Sequence, residues 1–287
     1  MNLLKKIDYF FFTYLGITTI FLLFSWNQSE QIPNLLLIRF FILISIIVLI
    51  QLDFKKKSFI INFLRNTYPI ILSMYFYSRT YFYNKFLFAD LDPYLIKYEQ
   101  AIFGFQPSLE FSKYFSSKWF SELMYIGYFS FYILIGAFVI YLYNKKKEVF
   151  LEVSFKLAAS MLLFYFIFGF LSSAGPQFYF LTPDNIAPNA FIFDKIIQFI
   201  IKNGDLPTGA FPSSHVGISV VILILSKKYA PNYFKFAWPF VIILIPSIVY
   251  IKAHYALDAI GGIIIAPLIL YISSKLYRIP LGVKTTI

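Results

Sequence analysis

The sequence predicts an all-α integral membrane protein, a polytopic bundle of about eight transmembrane helices. Three features indicate this fold. Of the 287 residues, 59% are hydrophobic and only 14% are charged, whereas a soluble domain has about 25% charged residues. The mean hydropathy is +0.71. Apolar runs of about 20 residues, the length that spans a bilayer, recur along the chain with lysine-rich loops between them.

The composition also excludes several other classes of protein. Disordered chains are poor in aromatic residues, yet 22% of this sequence is aromatic. The chain has no cysteine, so it is not a small domain held together by disulfide bonds. The net charge of +11 comes from lysines scattered between apolar runs, and we therefore expect no nucleic-acid partner.

The predicted spans follow from the length of each apolar run, because a bilayer core of roughly 30 Å needs about 20 helical residues. The sixth and seventh are the shortest. The first follows Lys5 and Lys6 and has no small-residue cleavage site after it, so we expect a retained anchor instead of a removed signal peptide. The eight predicted spans are residues 9–26, 35–52, 68–88, 121–143, 150–172, 211–225, 236–251 and 255–276.

The basic residues predict the orientation of the chain, since positively charged loops stay on the cytoplasmic side. They fall in alternate loops, which places both termini in the cytoplasm. The loops that carry them contain Lys5, Lys6, Lys55, Lys56, Lys57, Arg65, Lys145, Lys146, Lys147, Lys227, Lys228, Lys235, Lys275, Arg278 and Lys284. The opposite face then holds residues 89–120, residues 174–210 and a short turn around His254.

Three regions follow from this topology. Residues 1–88 form N-terminal transmembrane helices, and residues 121–287 form the transmembrane core. Residues 89–120 between them are mildly amphipathic and acidic. This middle segment is either an interfacial element or simply a lid or spacer.

The chain has two histidines, and they stand at matching positions. His215 directly precedes the apolar run 216–225, and His254 precedes the run 259–269. Both lie on the outer face of the predicted topology, where an inward-running helix begins. Ser213 and Ser214 come before His215, and serine at a helix start caps free backbone N–H groups. The same N–H groups attract a phosphate, so capping and anion binding are compatible.

His254 and Asp258 are four residues apart, so a helix places them on one face within hydrogen-bonding reach. A carboxylate that accepts from one imidazole nitrogen fixes the tautomer and raises the nucleophilicity of the other nitrogen. The alternative is that Asp258 only caps or neutralises its helix. Because ionisable groups at the edge of a membrane span are costly, a functional role is favoured.

These residues resemble the motifs of the type 2 phosphatidic acid phosphatase superfamily. Residues 212–215, P-S-S-H, resemble its P-S-G-H motif with Ser214 in the glycine position, and residues 247–258 resemble its S-R-x5-H-x3-D motif. The chain most resembles the branch that includes inositol phosphorylceramide synthases and their bacterial relatives. There, segments like 91–93, L-D-P, and 103–107, F-G-F-Q-P, are common.

The resemblance implies a six-helix phosphatase-type core that transfers a phosphoryl group from a lipid phosphate in two steps. His254 would attack phosphorus and become a phosphohistidine, with Asp258 orienting it. His215 would protonate the leaving group and then activate the acceptor, while Ser213 and Ser214 hold phosphate oxygens. No metal or other cofactor is implied. The bacterial relatives imply the cytoplasmic membrane, with the site facing outward.

The departures from the superfamily pattern concern the positive charge. Ile248 replaces the arginine of the S-R motif. Lys252 is one turn later, but on a straight helix it would point about 160° away from His254, so it serves only if that segment is not helical. The K-x6-R-P motif is absent, and Gln177 stands where related sequences often have arginine. Arg79 is a further candidate, or it merely extends to the membrane surface.

The sequence leaves several functions open. A lipid phosphatase is favoured, and a phosphotransferase that moves an inositol-phosphate-like head group is the first alternative. A transporter or a non-catalytic binder of lipid phosphate would use the same ionisable groups. We expect lipid phosphate and membrane lipids as partners, with the oligomeric state open. An enzyme requires the two histidines within about 8 Å across a phosphate-sized gap, whereas a transporter requires a path through the membrane.

Overall fold

The computed structural model describes residues 3–55, 58–84, 89–182 and 185–280. Within these ranges the chain is helical and contains no strand, which confirms the predicted all-α class. The helices are α1 (Lys6–Phe24), α2 (Ile32–Lys55), α3 (Phe59–Arg79), α4 (Asp92–Phe103), α5 (Pro107–Tyr114), α6 (Lys118–Lys145), α7 (Lys147–Phe168), α8 (Pro176–Tyr179), α9 (Phe193–Gly204), α10 (Ser214–Tyr229), α11 (Pro231–Tyr250) and α12 (Ala256–Arg278).

Six of the described helices are long and apolar enough to cross a membrane: α1, α2, α6, α7, α11 and α12. They correspond to the first, second, fourth, fifth, seventh and eighth predicted spans. The other two predicted spans are helical but fall short of the same requirements. α10 has only 16 residues, and α3 contains two arginines, two asparagines and a proline.

The third predicted span, 68–88, differs from the structure in position. α3 begins at Phe59 and ends at Arg79, and residues 85–88 lie outside the described residues. The expectation that Arg65 lies in a basic loop is wrong, because its side chain is fully buried. Both of its terminal nitrogens bond the Asp8 carboxylate of α1. Neutralisation by an ion pair allows the helix to continue through this arginine.

Polar contacts extend this ion pair into a cluster at one end of α1, α2 and α3, which we call the N-terminal charge cluster. Tyr68 donates to Asp8 over 2.9 Å. Lys5 Nζ lies 2.9 Å from Asp53 Oδ2 and donates to Asn66 over 3.2 Å. Charges of opposite sign therefore balance one another where the three helices meet.

α10 lies at the centre of the bundle, in contact with α6, α7, α11 and α12. Two glycines permit its close packing. A Cβ atom at Gly262 of α12 would lie 2.5 Å from the carbonyl oxygen of Ser213, and one at Gly217 would lie 2.1 Å from the Phe164 ring of α7. Because protein atoms cannot approach that closely, glycine is required where α12 crosses the start of α10. The two segments that carry the histidines are thereby brought side by side.

Residues 89–120 fold against the end of the bundle where α10 and α12 begin, which we call the site end. α4 contacts α12, and α5 contacts α11. Asp92 and Glu99 of α4 have no exposed surface, although they were expected only as charges of an amphipathic surface segment. Buried carboxylates require hydrogen-bond donors, and those donors belong to the loops around the histidines.

Candidate active site

The two histidines meet at the site end. His215 lies in the first turn of α10, and His254 lies in the non-helical segment between α11 and α12. His254 Nε2 is 3.3 Å from His215 Nδ1, and both side chains are buried. The predicted proximity of less than about 8 Å is therefore present. The predicted gap is not, because the two nitrogens are within hydrogen-bonding distance of each other.

Hydrogen-bond acceptors on one side of His254 define its tautomer. His254 Nδ1 lies 3.0 Å from the Ala210 carbonyl oxygen and 3.3 Å from Asp258 Oδ2. Both neighbours accept, so we assign the proton to Nδ1, which leaves the lone pair on Nε2. Asp258 Oδ2 also accepts from Tyr255 N at 2.8 Å. Asp258 thus both caps α12 and orients His254, so the two interpretations of this residue are compatible.

The serines before His215 occupy different positions. Ser213 is the N-cap of α10, since its Oγ accepts from Val216 N at 3.4 Å. The same Oγ is 3.5 Å from His254 Nε2, and Ser213 N donates to the Asp258 carbonyl oxygen over 2.9 Å. Ser214 begins the helix and lines a cavity beside His215. Ser213 therefore connects the two histidine segments.

Aromatic rings surround His215. Its ring centroid is 4.5 Å from that of Phe131, 4.9 Å from that of Tyr128 and 6.4 Å from that of Tyr77. These rings hold the imidazole against His254 and exclude water on those sides. A cavity of about 330 Å³ opens on the remaining side, between α3, α6 and the end of α9. Apart from Asp205, Ser214 and His215, its walls are mainly apolar.

The two basic residues that could supply positive charge to a phosphate, Lys252 and Arg79, lie apart from each other around this site. Lys252 has a φ of +66°, so its segment is not helical, which was the condition for its participation. Its buried Nζ donates to the carbonyl oxygens of Ser108 at 3.0 Å and Leu109 at 3.4 Å in α5. Arg79 stacks over the Tyr75 ring, with Cζ 4.9 Å from the centroid. Among the described residues, no hydrogen bond joins Arg79 to either histidine.

Gln177 and Lys252 share a second, smaller cavity of about 160 Å³. Its other polar walls come from Tyr125, Asn185 and Gln198, with Lys202 at its edge. Gln177 also lies close enough to Asp205 to lower the pKa of its carboxyl group. The side chain that stands where related sequences often have arginine therefore lies near an acid that lines the larger cavity.

Sequence reasoning did not identify Asp205 as a site residue. It directly follows α9 and lines the larger cavity together with Ser214 and His215. Burial raises the pKa of its carboxyl group to about 6, an effect that His254 and Gln177 partly oppose. The only sequence signal is an acid in a short Gly- and Pro-containing loop eight residues before Ser213, and this pattern is common in ordinary turns.

Two buried carboxylates of α4 also hold the site together. Asp92 accepts from Ala174 N at 2.8 Å, from Gly175 N at 2.9 Å and from Tyr255 OH at 3.1 Å. It therefore joins the loop before Gln177 to the residue after His254. Glu99 Oε1 accepts from Leu257 N at 3.1 Å, at the start of α12. Burial raises the pKa of Glu99 to about 7, and this backbone hydrogen bond partly opposes the shift.

The fold and the site together define a class of protein. It is helical, it has several helices suited to a membrane, and it carries at one end of its bundle a buried histidine pair of which one member is oriented by a carboxylate. The chain belongs to the PAP2 superfamily, because the model of that family matches residues 94–272. Members of this superfamily are phosphoryl-transfer enzymes that act on phosphate esters. The match begins within α4 and contains both histidines. No curated protein and no solved structure matches the chain.

Proposed function

We propose that the chain is an integral membrane lipid phosphatase that hydrolyses a phosphate ester through a phosphohistidine at His254. The observation that carries this proposal is the arrangement of one imidazole. His254 Nδ1 faces two acceptors while Nε2 faces His215. This arrangement leaves a nucleophilic lone pair beside a second group that can move a proton.

The reaction would proceed in two steps. A phosphoryl group would enter from the cavity and separate the two rings, so that His254 Nε2 attacks phosphorus in line. The N–P bond forms as the P–O ester bond breaks, and protonated His215 gives its Nδ1 proton to the leaving oxygen. In the second step, neutral His215 takes a proton from water, which attacks the phosphohistidine and releases phosphate. Asp258 stabilises the positive charge on His254 in both steps.

The larger cavity supports a lipid as the substrate. It runs from His215 along α3 and α6, and its walls include Ile71, Met74 and Ile140. These three side chains are also well exposed on the outer surface of the bundle. In a bilayer, an apolar opening on this surface would admit a lipid tail from the side, while the phosphate remains at the histidines. We propose that the tail occupies this cavity.

A phosphotransferase is the second candidate, because the smaller cavity supplies groups suited to a polar head group. Gln177, Asn185, Gln198 and Tyr125 offer amide and hydroxyl groups beside Lys252. A hydroxylated acceptor bound there would replace water in the second step. This alternative agrees with the resemblance to the inositol phosphorylceramide synthase branch.

Topology and location complete the proposal. We propose that α3 and α10 also cross the membrane, which gives eight spans, and that six helices around α10 form the core. The division at 1–88, 89–120 and 121–287 stays a prediction. So does the placement in a bacterial cytoplasmic membrane, with cytoplasmic termini and the site on the outer face.

The direct test is phosphate release by the protein in detergent from phosphatidic acid, phosphatidylglycerol phosphate and undecaprenyl pyrophosphate. We expect release from at least one substrate, and its loss in His254→Ala. Ser160→Ala is a matched control. Ser160 is buried and contacts Ser273 at 3.1 Å, and Ser273 is about 22 Å along α12 from Asp258 at 1.5 Å per residue. Release that persists in His254→Ala would refute the phosphohistidine, and head-group exchange without release would favour the transferase.

A further inference from the structure

Asp205 contributes a carboxyl group to a cavity where a phosphoryl group is expected. The residue ends α9, with its backbone N–H donating to the Ile201 carbonyl oxygen over 2.9 Å. Its side chain lines the larger cavity beside Ser214 and His215. It also interacts electrostatically with His254. The carboxyl group therefore lines the same cavity as His215 and is near enough to His254 for their charges to interact.

The groups that face Asp205 come from several elements. Gln177 of α8 and His254, which precedes α12, both lower the pKa of its carboxyl group. Tyr77 of α3 and the tyrosines of α6 are close enough for electrostatic coupling with its charge. The titratable or polar groups that line this cavity with Asp205 or couple to its charge are Thr67, Tyr77, Tyr128, Tyr132, Tyr165, Gln177, Ser214, His215 and His254.

A phosphate ester in this cavity would meet an electrostatic conflict. An ionised Asp205 would repel the negative phosphoryl oxygens at short range, where the interaction is strong because water is largely excluded. An arginine in place of Gln177 would offset this repulsion, but an amide has no charge to do so. A neutral carboxyl group resolves the conflict, since its O–H donates a hydrogen bond to an oxygen that an ionised carboxylate would repel.

We propose that Asp205 is a proton-holding ligand for the phosphoryl group, and that binding of that group takes up one proton at this carboxyl. In this role, the nearby amide of Gln177 orients the O–H of the carboxyl group. This role rests on the proposed function only because it places a phosphoryl group in this cavity. The protonated Asp205 carboxyl group supplies the hydrogen-bond donor that an arginine guanidinium would otherwise provide.

The surroundings favour this protonation state. Burial raises the pKa of Asp205 to about 6, so the neutral form is already accessible near neutral pH before any anion arrives. Above this pKa, each further pH unit makes protonation tenfold less favourable. The affinity for a phosphoryl group should therefore fall about tenfold per pH unit above pH 6 through this residue alone.

The test measures binding of monofluorophosphate to the full-length protein in detergent from pH 6.5 to 8.5, a range in which this anion stays doubly charged. Titration calorimetry in two buffers of different ionisation enthalpy gives the number of protons taken up. Wild type and Asp205→Asn are compared, because the two proteins differ in this one carboxyl group. Asparagine keeps the size of the side chain and an N–H donor.

We expect Asp205→Asn to take up one proton fewer than wild type at pH 7.5. The tenfold fall in affinity per pH unit that Asp205 causes in wild type should be absent from the variant. At pH 8 the variant should bind the anion more tightly than wild type, because it carries no charge. Asp194→Asn is the matched control. Asp194 is a buried acid in the first turn of α9, the helix that Asp205 follows, and its Oδ2 accepts from Ala190 N at 3.0 Å. This variant should follow wild type.

Three results would overturn the role of Asp205: equal proton uptake in wild type and Asp205→Asn, weaker binding by the variant at pH 8, or no proton uptake by wild type at pH 7.5. The last needs no variant, so misfolding of Asp205→Asn does not protect the proposal. Because binding is measured without turnover, these failures are separate from failure of the proposed function. An active enzyme lacking this proton uptake refutes only the role of Asp205.

Discussion

The N-terminal charge cluster and the site end both bury charged groups, but they satisfy them in different ways. In the cluster, Asp8 is neutralised by Arg65, and Asp53 by Lys5. At the site end, the described partners of Asp92, Glu99 and Asp258 are backbone N–H groups, a tyrosine hydroxyl and an imidazole. Compensation by opposite charge fixes a protonation state, whereas compensation by dipoles leaves it adjustable. This difference separates a structural cluster from one suited to proton transfer.

The comparison is tested most strongly by Asp258→Asn. Asparagine can still accept the capping hydrogen bond from Tyr255, but it no longer holds the proton on His254 Nδ1 or stabilises a positive imidazole. We expect kcat to fall by about 10²- to 10⁴-fold, as when the carboxylate that orients a catalytic histidine is lost. The free energy of unfolding should change by less than about 1 kcal/mol because the cap remains. A large loss of stability with unchanged kcat per folded molecule would assign Asp258 to structure alone.

The opposite outcome is expected for Asp8→Asn. This change leaves the buried Arg65 guanidinium without its counter-charge, and breaking such a pair costs about 3–5 kcal/mol of stability. The activity of the protein that remains folded should stay within about twofold of wild type, since the cluster does not reach the histidines. Glu110→Gln, which removes the surface partner of Lys113, should cost less than about 1 kcal/mol. Loss of kcat in Asp8→Asn without loss of stability would contradict the structural assignment.

The sequence predicts the histidine pair well because local spacing encodes it. Each histidine directly precedes an apolar run. The two histidine segments then meet where α10 and α12 cross, which the close approach of Gly262 to Ser213 permits. The charge cluster was not predictable in the same way. Arg65 belongs to a loop by hydropathy, and its partner Asp8 is 57 residues away in the sequence. Only the packing of α1 against α3 shows that the arginine is neutralised, so α3 begins earlier than its apolar run.

The same distinction explains what sequence reasoning missed at the site. The direction of the Lys252 side chain depends on where α11 ends. The sequence predicts that this residue is helical and points away from His254 unless the segment unwinds. Its left-handed backbone, with φ of +66°, follows from the turn that joins α11 to His254. Asp92 and Glu99 lie on α4 and Asp205 follows α9, and these acids reach the site only because both segments pack against the end of the bundle. From the sequence alone they are acids in segments between apolar runs. Nothing in the local periodicity specifies which groups of the site they will contact.

A smaller effect is expected where the larger cavity is filled. A Cβ atom at Gly136 of α6 meets no atom within 4 Å, and this residue lines the cavity. Gly136→Leu should therefore fold normally while blocking the proposed path of the lipid tail. We expect kcat/KM to fall roughly tenfold for a long-chain lipid phosphate, with little change for a short, water-soluble phosphate ester.

Gly16→Leu of α1 is the matched control for this cavity, because its Cβ also meets no atom within 4 Å and it lies outside the cavity walls. Gly16→Leu should leave kcat/KM unchanged for both the long-chain and the short substrate. Equal losses for the long and short substrates in Gly136→Leu would indicate a general distortion of the site. No loss for either substrate would remove the cavity from the path of the tail.

A gradual effect is expected at Glu99, where compensation by dipoles allows the free energy of unfolding to depend on pH. Burial raises its pKa from 4.5 to about 7 in the folded protein. The folded state therefore holds this proton more tightly than the unfolded state, and the free energy of unfolding should decrease as pH rises from 4.5 to 7. The slope is at most about 1.4 kcal/mol per pH unit.

Glu99→Gln can still accept from Leu257 N but cannot titrate, so its stability relative to wild type should increase through this window and level off above pH 7. Unfolding midpoints at pH 5, 6, 7 and 8 measure this difference, with Glu110→Gln of α5 as the control for loss of a carboxylate. A constant difference between Glu99→Gln and wild type across these pH values would place Glu99 with the fixed charges of the N-terminal charge cluster.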